Sequence, residues 1–231
     1  MQSNLFDSDR ADNCFRSEAE NFSNEIAQHG EKLTLQNASV VYFPGWLCAD
    51  AANAFQVQLT RELKWQQPQI YIAGVPRRIP RLQAWHGDSD AVMTYSGSRF
   101  DPQDWHPTLS HLREQLYELL QVQFNSVLAN RYRDGNDSVG WHADNEPELG
   151  PQPCIASISL GATRRFSFKQ KLKSAPRTNK STSVNIELRH GDLLVMAGQT
   201  QRYWHHSLPK TTKQVGERIN LTYRTIIQTA R

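Results

Sequence analysis

The apolar residues of this chain change their spacing near Phe124, and this change constrains the fold more than any other feature. Before Phe124, apolar residues recur every third or fourth position, as they do on one face of a helix. After Phe124, apolar and polar residues alternate in short runs that glycines separate, as they do in half-buried strands. Helices followed by many short strands indicate a mainly β protein with flanking helices (α+β), built as an antiparallel sandwich or jelly roll.

Two helices are predicted upstream of the strands. The first has a stripe with four-residue spacing, made by Leu47, Ala51, Phe55, Leu59 and Leu63. Asp50 is available near its start as a cap. The second begins near Pro107 and Thr108, residue types suited to a helix start, and carries a stripe made by Leu109, Leu112, Leu116 and Leu119. Both stripes are expected to pack on a sheet.

Composition bounds the class of protein. The 231 residues suit one domain, which we place at residues 36–231 behind a flexible segment at residues 1–35. No apolar run is long enough to cross a membrane, and the first ten residues do not resemble a secretory signal. Cys14, Cys48 and Cys154 are scattered and form no CxxC pair, as is usual for thiols in a reducing compartment. We therefore expect a cytoplasmic, monomeric protein.

Histidine and aspartate side chains in the second half suggest a metal site. His142 and Asp144 are two residues apart, so in extended backbone they point to the same face. A further histidine, either His205 or His206, would complete a set of two imidazoles and one carboxylate. That set leaves positions open on non-haem Fe(II). A surface or core role remains the alternative for each residue, because the chain has eight histidines.

The segment from Arg218 to Arg224 alternates strictly between polar and apolar residues. As a strand, it would direct four polar side chains to one face, namely Arg218, Asn220, Thr222 and Arg224. The opposite face would send Ile219, Leu221 and Tyr223 into the core. Burying two guanidinium groups in a cavity costs free energy unless anions lie beside them. A dicarboxylate such as 2-oxoglutarate would supply two carboxylates that match the guanidinium geometry. A strand with an exposed, salt-bridged face is the alternative.

Several motifs together resemble the AlkB family of Fe(II)- and 2-oxoglutarate-dependent dioxygenases. They occur in the family's order: Asn-x-Tyr (Asn130, Tyr132), His-x-Asp-x-Glu (His142, Asp144, Glu146), His-Ser-Leu-Pro (His206) and Arg-x-Asn-Leu-Thr-x-Arg (Arg218 to Arg224). Upstream, the segments around Arg81 and around Tyr95 and Ser96 resemble the family's nucleotide-recognition region. The resemblance implies such a region at about 65–100 and a catalytic jelly roll, the double-stranded β-helix, at about 124–228.

The same resemblance implies roles for individual residues. It selects His206 over His205 as the third iron ligand, beside His142 and Asp144. It places Arg218 on the distal carboxylate of 2-oxoglutarate, and it implies co-substrate contacts for Asn130, Tyr132, Asn220 and Arg224. Molecular oxygen is the other co-substrate. The implied activity is oxidative demethylation of N-alkylated bases, of the 1-methyladenine and 3-methylcytosine type, in DNA or also in RNA, with release of formaldehyde.

Substrate contacts are the last expectation. The resemblance implies that Tyr95 stacks on the flipped base and that Glu146 meets its exocyclic nitrogen, with Ser96 and Arg81 nearby. Residues 162–186 contain no acidic residue and several basic ones, beginning with Arg164 and Arg165. This block could follow a phosphate backbone, or it could be a solvated hairpin. Ala73 stands where duplex-repairing relatives carry a bulky finger residue. Ile72 or Tyr71 could take its place, so the preference for single or double strands stays open.

Three other functions fit parts of the pattern. The nearest is a hydroxylase of a protein, lipid or small molecule on the same scaffold, against which the basic block and Glu146 argue. A nucleic-acid-binding protein with a vestigial metal site would have no need of Arg218 and Arg224. A zinc hydrolase could use a similar triad, but it would not explain two arginines on one strand face.

Overall fold

The computed structural model describes residues 29–72, 74–95, 98–171 and 182–227, with the side chains of residues 72, 93–95 and 98–100 outside that description. Strands predominate: β1 Glu31–Lys32, β2 Ser39–Phe43, β3 Gln69–Ile72, β4 Val75–Arg78, β5 Leu82–Gly87, β6 Met93–Tyr95, β7 Ser98–Phe100, β8 Ser126–Tyr132, β9 Val139–His142, β10 Ile155–Gly161, β11 Arg164–Gln170, β12 Ser183–Leu188, β13 Leu193–Ala197, β14 Trp204–Leu208 and β15 Arg218–Arg224. The helices are α1 Ala49–Glu62, α2 Pro107–Leu120 and α3 Thr200–Tyr203, with a 3-10 turn at Pro147–Leu149.

The strands form two antiparallel sheets that face each other. The major sheet has the order β1-β2-β13-β10-β15-β8-β5, and the minor sheet has the order β12-β11-β14-β9. Two hairpins, β3 with β4 and β6 with β7, stand outside both sheets. Apolar side chains from both sheets meet between them, for example Ile155 and Leu194 with Phe166 and Phe168. The predicted mainly β jelly roll with flanking helices is confirmed.

The major sheet is covered on both faces, which explains its alternating sequence. On β10, Ala156, Ile158 and Leu160 join a core that also contains the buried leucines of α1 and α2. On the opposite face of β10, Ser157 and Ser159 are buried toward the minor sheet. Polar side chains on this inner face must find partners there, because water does not reach them. The inner face is therefore where a polar site can be built.

The two long helices follow the predicted stripes closely. Helix α1 begins at Ala49, so Asp50 lies in its first turn, where a negative charge interacts favourably with the helix dipole. The N-cap residue is Cys48, and its side chain makes no capping hydrogen bond, so the predicted cap at Asp50 is wrong. Helix α2 begins with Pro107 as predicted, and His106 accepts a hydrogen bond from the backbone N–H of Thr108. Among the described residues, no helix combines the length and apolar character needed to span a bilayer.

The N-terminal boundary lies earlier than the sequence suggested. Most of the segment predicted to be flexible, residues 1–28, is outside the described residues. Its last part already belongs to the fold, because Glu31 and Lys32 pair with Tyr42 and Val41 at the edge of the major sheet. The chain crosses from the major to the minor sheet at Gly161, whose φ of +90° suits a residue without a Cβ atom.

Candidate active site

Three side chains that could bind a metal converge between the two sheets. His142 ends β9, Asp144 follows two residues later, and His206 lies within β14. One ligand atom from each residue can be chosen so that all three lie within 4.8 Å of one another. His142 and His206 are cross-strand partners, and their ring centroids are 4.2 Å apart. The predicted pairing of a His-x-Asp motif with His206 is thus present as a compact group.

The protonation states of this group suit a divalent cation. Burial raises the pKa of Asp144, but Arg224, His206 and His142 outweigh it and lower that pKa to about 2. Burial and the neighbouring His142 lower the pKa of His206 to about 3. Nδ1 of His142 lies 2.9 Å from the carbonyl oxygen of Gly140, so Nδ1 donates and Nε2 keeps its lone pair. At neutral pH the group therefore offers the carboxylate of Asp144 and the neutral imidazole of His206, the forms that metals bind.

Asp144 is held by contacts on both its backbone and its side chain. Its backbone N–H donates to Oε1 of Gln201 at 3.0 Å, and Nη2 of Arg224 donates to its Oδ2 at 2.8 Å. Gln201 is buried in α3, directly before the strand of His206, and its Nε2 lies 3.7 Å from Sδ of Met196. The sequence did not single out Gln201, because its partner is 57 residues away and no local pattern marks it.

A cavity opens beside the triad, and its polar lining comes mostly from the inner face of the major sheet. Strands β8, β10 and β15 contribute Asn130, Tyr132, Ser157, Arg218, Asn220, Thr222 and Arg224. The apolar part of the wall includes Phe166, Met196 and Leu208. Ile219, Leu221 and Tyr223 pack on the opposite face of β15, in the core under the helices. The predicted division of this strand into a polar and an apolar face is confirmed.

Arg218 is a buried cation whose bonding groups are mostly unused by the protein. Its side chain is among the largest fully buried ones, and Nη2 donates to Oγ of Ser159 at 2.9 Å. Within the described residues, Nε and Nη1 have no hydrogen-bond partner. Burial lowers the pKa of Arg218 to about 10, so the group remains charged at neutral pH. A buried charge of this kind is stable only with an anion beside it, and a carboxylate matches its planar donors.

Comparison with known proteins agrees with this arrangement. The family described as "2OG-Fe(II) oxygenase superfamily" matches residues 39–224. The bovine alpha-ketoglutarate-dependent dioxygenase alkB homolog 3 is 42% identical over 188 residues, which are 79% of this chain and 64% of that protein. The human DNA oxidative demethylase ALKBH2 is 37% identical over 185 residues, which are 78% of this chain and 70% of that protein. The chain belongs to the AlkB family of 2OG-Fe(II) oxygenases.

A solved structure supports the fold of this AlkB-family chain. The structure titled "The structure of OsALKBH1" aligns with a TM-score of 0.57 at 17% identity and covers 84% of this chain and 100% of that one. The chain spans just under two thirds of the length of the alkB homolog 3 proteins that it resembles. The predicted cofactors, Fe(II) and 2-oxoglutarate, are confirmed at the level of the family.

Two asparagines of the cavity differ in what they leave available. Oδ1 of Asn130 accepts hydrogen bonds from Nε of Arg81 at 2.8 Å and Nε2 of Gln83 at 2.9 Å. Its amide N–H groups are therefore directed away from these two residues. Asn220 instead donates through Nδ2 to Oγ of Ser157 and to the carbonyl oxygen of Ile158. Asn220 thus braces β15 against β10.

The residues predicted to contact substrate fall into different environments. The prediction that Arg164 contacts phosphates is wrong. Its side chain is buried, and its guanidinium donates to the backbone carbonyls of residues 134, 137 and 209, so it stabilises loops. Arg165 is exposed, and its cross-strand partner is Glu187. Arg81 holds Asn130 from beside the cavity. In the Arg164–Lys180 block, residues 172–180 lie outside the described part of the chain.

The other residues predicted to contact the substrate or to act as the finger are Glu146 and residues of the two hairpins. Glu146 precedes the 3-10 turn, and its Oε2 is buried without a hydrogen-bond partner among the described residues. Tyr95 ends β6, but its side chain, like all of Ser96, lies outside the described part. Ala73, at the expected finger position, is also outside it. Tyr71 on the β3–β4 hairpin is 70% exposed.

Proposed function

We propose that this protein is an Fe(II)- and 2-oxoglutarate-dependent dioxygenase that removes methyl groups from N-alkylated bases in nucleic acid. One observation carries the proposal: the metal-binding triad and the incompletely bonded guanidinium of Arg218 face the same cavity. A metal and a dicarboxylate could therefore be bound side by side. The name of the relative ALKBH2, a DNA oxidative demethylase, supports DNA as the substrate class.

His142, Asp144 and His206 would hold the iron and leave its remaining positions to 2-oxoglutarate and oxygen. When bound, iron and 2-oxoglutarate supply the oxidation, in which oxygen and 2-oxoglutarate yield succinate and carbon dioxide while the N-methyl carbon is hydroxylated. The hydroxymethyl group then loses its hydroxyl proton and leaves as formaldehyde, and the electron pair of the broken C–N bond returns to the base nitrogen. The protein keeps the carboxylate of Asp144 ionised through Arg224 and keeps the ring of His206 neutral by burying it.

Arg218 would bind the distal carboxylate of 2-oxoglutarate through its two unpaired nitrogens. Tyr132 is buried beside it, with the guanidinium carbon of Arg218 5.4 Å from the ring centroid. Asn130 would donate to the co-substrate with the amide that Arg81 and Gln83 orient. Asn220 and Arg224 would support the co-substrate site from the same strand as Arg218. Asn220 would fix the strand through its hydrogen bond to Ser157, and Arg224 would act through its hydrogen bond to Asp144.

The alkylated base would enter from the side of His142, whose side chain is 37% exposed while Asp144 and His206 are buried. The methylated nitrogen lies on the pairing edge of the base, so a base in a duplex must first be flipped out. Glu146 has a buried carboxylate oxygen without a partner, which could accept from the exocyclic amine. We propose Tyr95 as the residue that stacks on the base, with Ser96, Arg81 and Arg165 around the entrance.

RNA as a second substrate, a monomeric state and a cytoplasmic location are parts of the same proposal. The two described cysteines, Cys48 and Cys154, are both free thiols, which fits a reducing compartment. Burial raises the pKa of Cys154 to about 12, so this thiol is unreactive at neutral pH.

The test is demethylation of a defined lesion. Purified protein loaded with iron is incubated with 2-oxoglutarate, ascorbate and an oligonucleotide carrying one 3-methylcytosine, and the product is weighed by mass spectrometry. We expect the loss of one methylene mass with the wild-type protein and none with His206→Ala. Succinate formation without a change in mass would mean that another substrate is oxidised. Absence of both in metal-loaded, folded protein would refute the proposal.

A further inference from the structure

An exposed tryptophan lies one residue from the metal-binding group. Trp141 precedes His142 on β9 and is 48% exposed, whereas His142 turns toward the triad. The indole lies on the outer surface of the minor sheet, because Nζ of Lys169 is 5.9 Å from its ring centroid and Phe168, the strand neighbour of Lys169, packs in the core on the other face. Strand β9 is the edge strand of that sheet. His142 lines the cavity, so Trp141 belongs to the strand that borders the site and presents its ring on the outer face of that strand.

A basic side chain lies beside this indole on another strand of the minor sheet. Lys169 of β11 is the cross-strand partner of His205 on β14, and its Nζ lies 5.9 Å from the centroid of the Trp141 ring. The acidic Glu187 pairs with Arg165, which is four residues from Lys169 along β11.

An exposed aromatic ring next to a cation is typical of surfaces that bind single-stranded nucleic acids. Such surfaces pair aromatic rings that stack on bases with cations that meet the phosphates, and they tolerate any base because each has a flat face. Trp141 is 48% exposed and is not part of the apolar core between the sheets, so its ring has a free face. Trp141 and Lys169 together provide one aromatic face and one cation directly beside the rim.

We propose that Trp141 stacks on a nucleotide adjacent to the alkylated one and that Lys169 contacts its phosphate, so that the site takes unpaired strands. The inference rests on the proposed function, because it assumes that the alkylated base enters from the side of His142. In a duplex, the flanking base is paired and stacked within the helix, so neither of its faces is free for the indole. Strand selection then depends on the neighbour of the lesion as well as on the lesion itself.

The test compares two single-stranded oligonucleotides with Trp141→Ala, Trp141→Phe and a control. Both carry a central 3-methylcytosine, and in one the two flanking nucleotides are abasic. Tyr117→Ala is the matched control, because Tyr117 is an exposed aromatic residue on α2, 42% exposed and outside the minor sheet. Binding is measured by fluorescence anisotropy of labelled oligonucleotide on Mn²⁺-loaded protein, and kcat/KM is measured on iron-loaded protein.

We expect Trp141→Ala to weaken binding of the ordinary oligonucleotide about tenfold, as the loss of one stacked base would, and to leave binding of the abasic one unchanged. Trp141→Phe should restore most of the affinity, and Tyr117→Ala should match the wild type. Lys169→Gln should reduce the slope of log K against log salt concentration by about 0.7, the value for one phosphate contact on a single strand.

Two results would overturn the inference. Equal binding of the ordinary oligonucleotide by Trp141→Ala and wild type would show that no base stacks there. An equal loss on both oligonucleotides would assign Trp141 a role other than stacking on the flanking base. Failure of the proposed function would be seen separately, as wild-type protein that binds the oligonucleotide and removes no methyl group.

Discussion

The guanidinium of Arg224 donates a 2.8 Å hydrogen bond to Oδ2 of Asp144, and both side chains are buried. The pair joins the last residue of β15 to the carboxylate of the metal-binding group, 80 residues earlier in the chain. Without a metal, Arg224 supplies a positive charge beside Asp144. A bound divalent cation would add to that charge, so the arginine and the metal would stabilise the same carboxylate.

Replacing Arg224 by methionine should therefore destabilise the metal-free protein more than the metal-bound protein. Removing one partner of a buried ion pair leaves the other charge uncompensated, which costs about 3 kcal/mol. Thermal unfolding with and without Mn²⁺ measures both states. The difference in Tm between Arg224→Met and wild type should shrink when Mn²⁺ is present. Arg224→Lys is the control that retains the charge, and an equal deficit in both states would show that Asp144 does not mediate the effect.

Arg218→Met should abolish tight binding of 2-oxoglutarate while leaving the fold intact. The loss of two charge-assisted hydrogen bonds, at about 1.5 kcal/mol each, corresponds to a rise in Kd of about 100-fold. The unbound protein should be no less stable than wild type, because a buried cation without an anion is replaced by an apolar chain. Calorimetric titration with 2-oxoglutarate and urea unfolding test both statements. Unchanged affinity would exclude Arg218 from the co-substrate site.

The unfolding free energy of the metal-free protein should fall as the pH is lowered from about 7 to about 4. The pKa of His206 is about 3 in the folded state, whereas an exposed histidine has a pKa of about 6.5. Between these two pH values the unfolded chain binds a proton at this histidine that the folded chain does not. The contribution of His206 to stability is therefore fully present above about pH 6.5 and is lost progressively as the pH falls toward about 3. Urea titrations at several pH values should give a shallower dependence for His206→Gln, and identical dependences would contradict the assignment.

Gln201→Leu should weaken metal binding without removing a ligand. Its Oε1 accepts the backbone N–H of Asp144, and loss of such an outer contact lowers metal affinity by about 10- to 100-fold. Gln199→Leu is the matched control, since Gln199 is also buried in this turn but its Oε1 has no partner among the described residues. Competition of each variant with a chromogenic chelator for Co²⁺ gives the affinities. A similar loss in both variants would indicate general loosening of the turn.

The strands and the metal-binding group could be predicted because their signals are local. The alternation from Arg218 to Arg224 survives in the structure, since one face lines the cavity and the other packs under the helices. His142 and Asp144 are two residues apart, and only the choice between His205 and His206 required the family resemblance. Register then explains that choice, because His206 is the residue that pairs with His142.

Other features could not be predicted, because they depend on distant partners. Arg164 is as basic as Arg165, but the guanidinium of Arg164 is bound by three backbone carbonyls from two loops, whereas Arg165 is exposed. The hydrogen bonds of Ser159 to Arg218 and of Ser157 to Asn220 form only when β10 pairs with β15, where the partners lie 59 and 63 residues later in the chain, so no local pattern marks them.

The two histidines of the metal-binding group belong to different mechanical parts of the minor sheet. His206 lies on an inner strand that is paired on both sides, whereas His142 ends the edge strand, whose pairing with β14 is irregular. An ion bound to both histidines would therefore cross-link the edge strand β9 to the inner strand β14. Loss of iron would then free a strand with unpaired backbone groups, so a demetallated molecule would be exposed to aggregation as well as inactive.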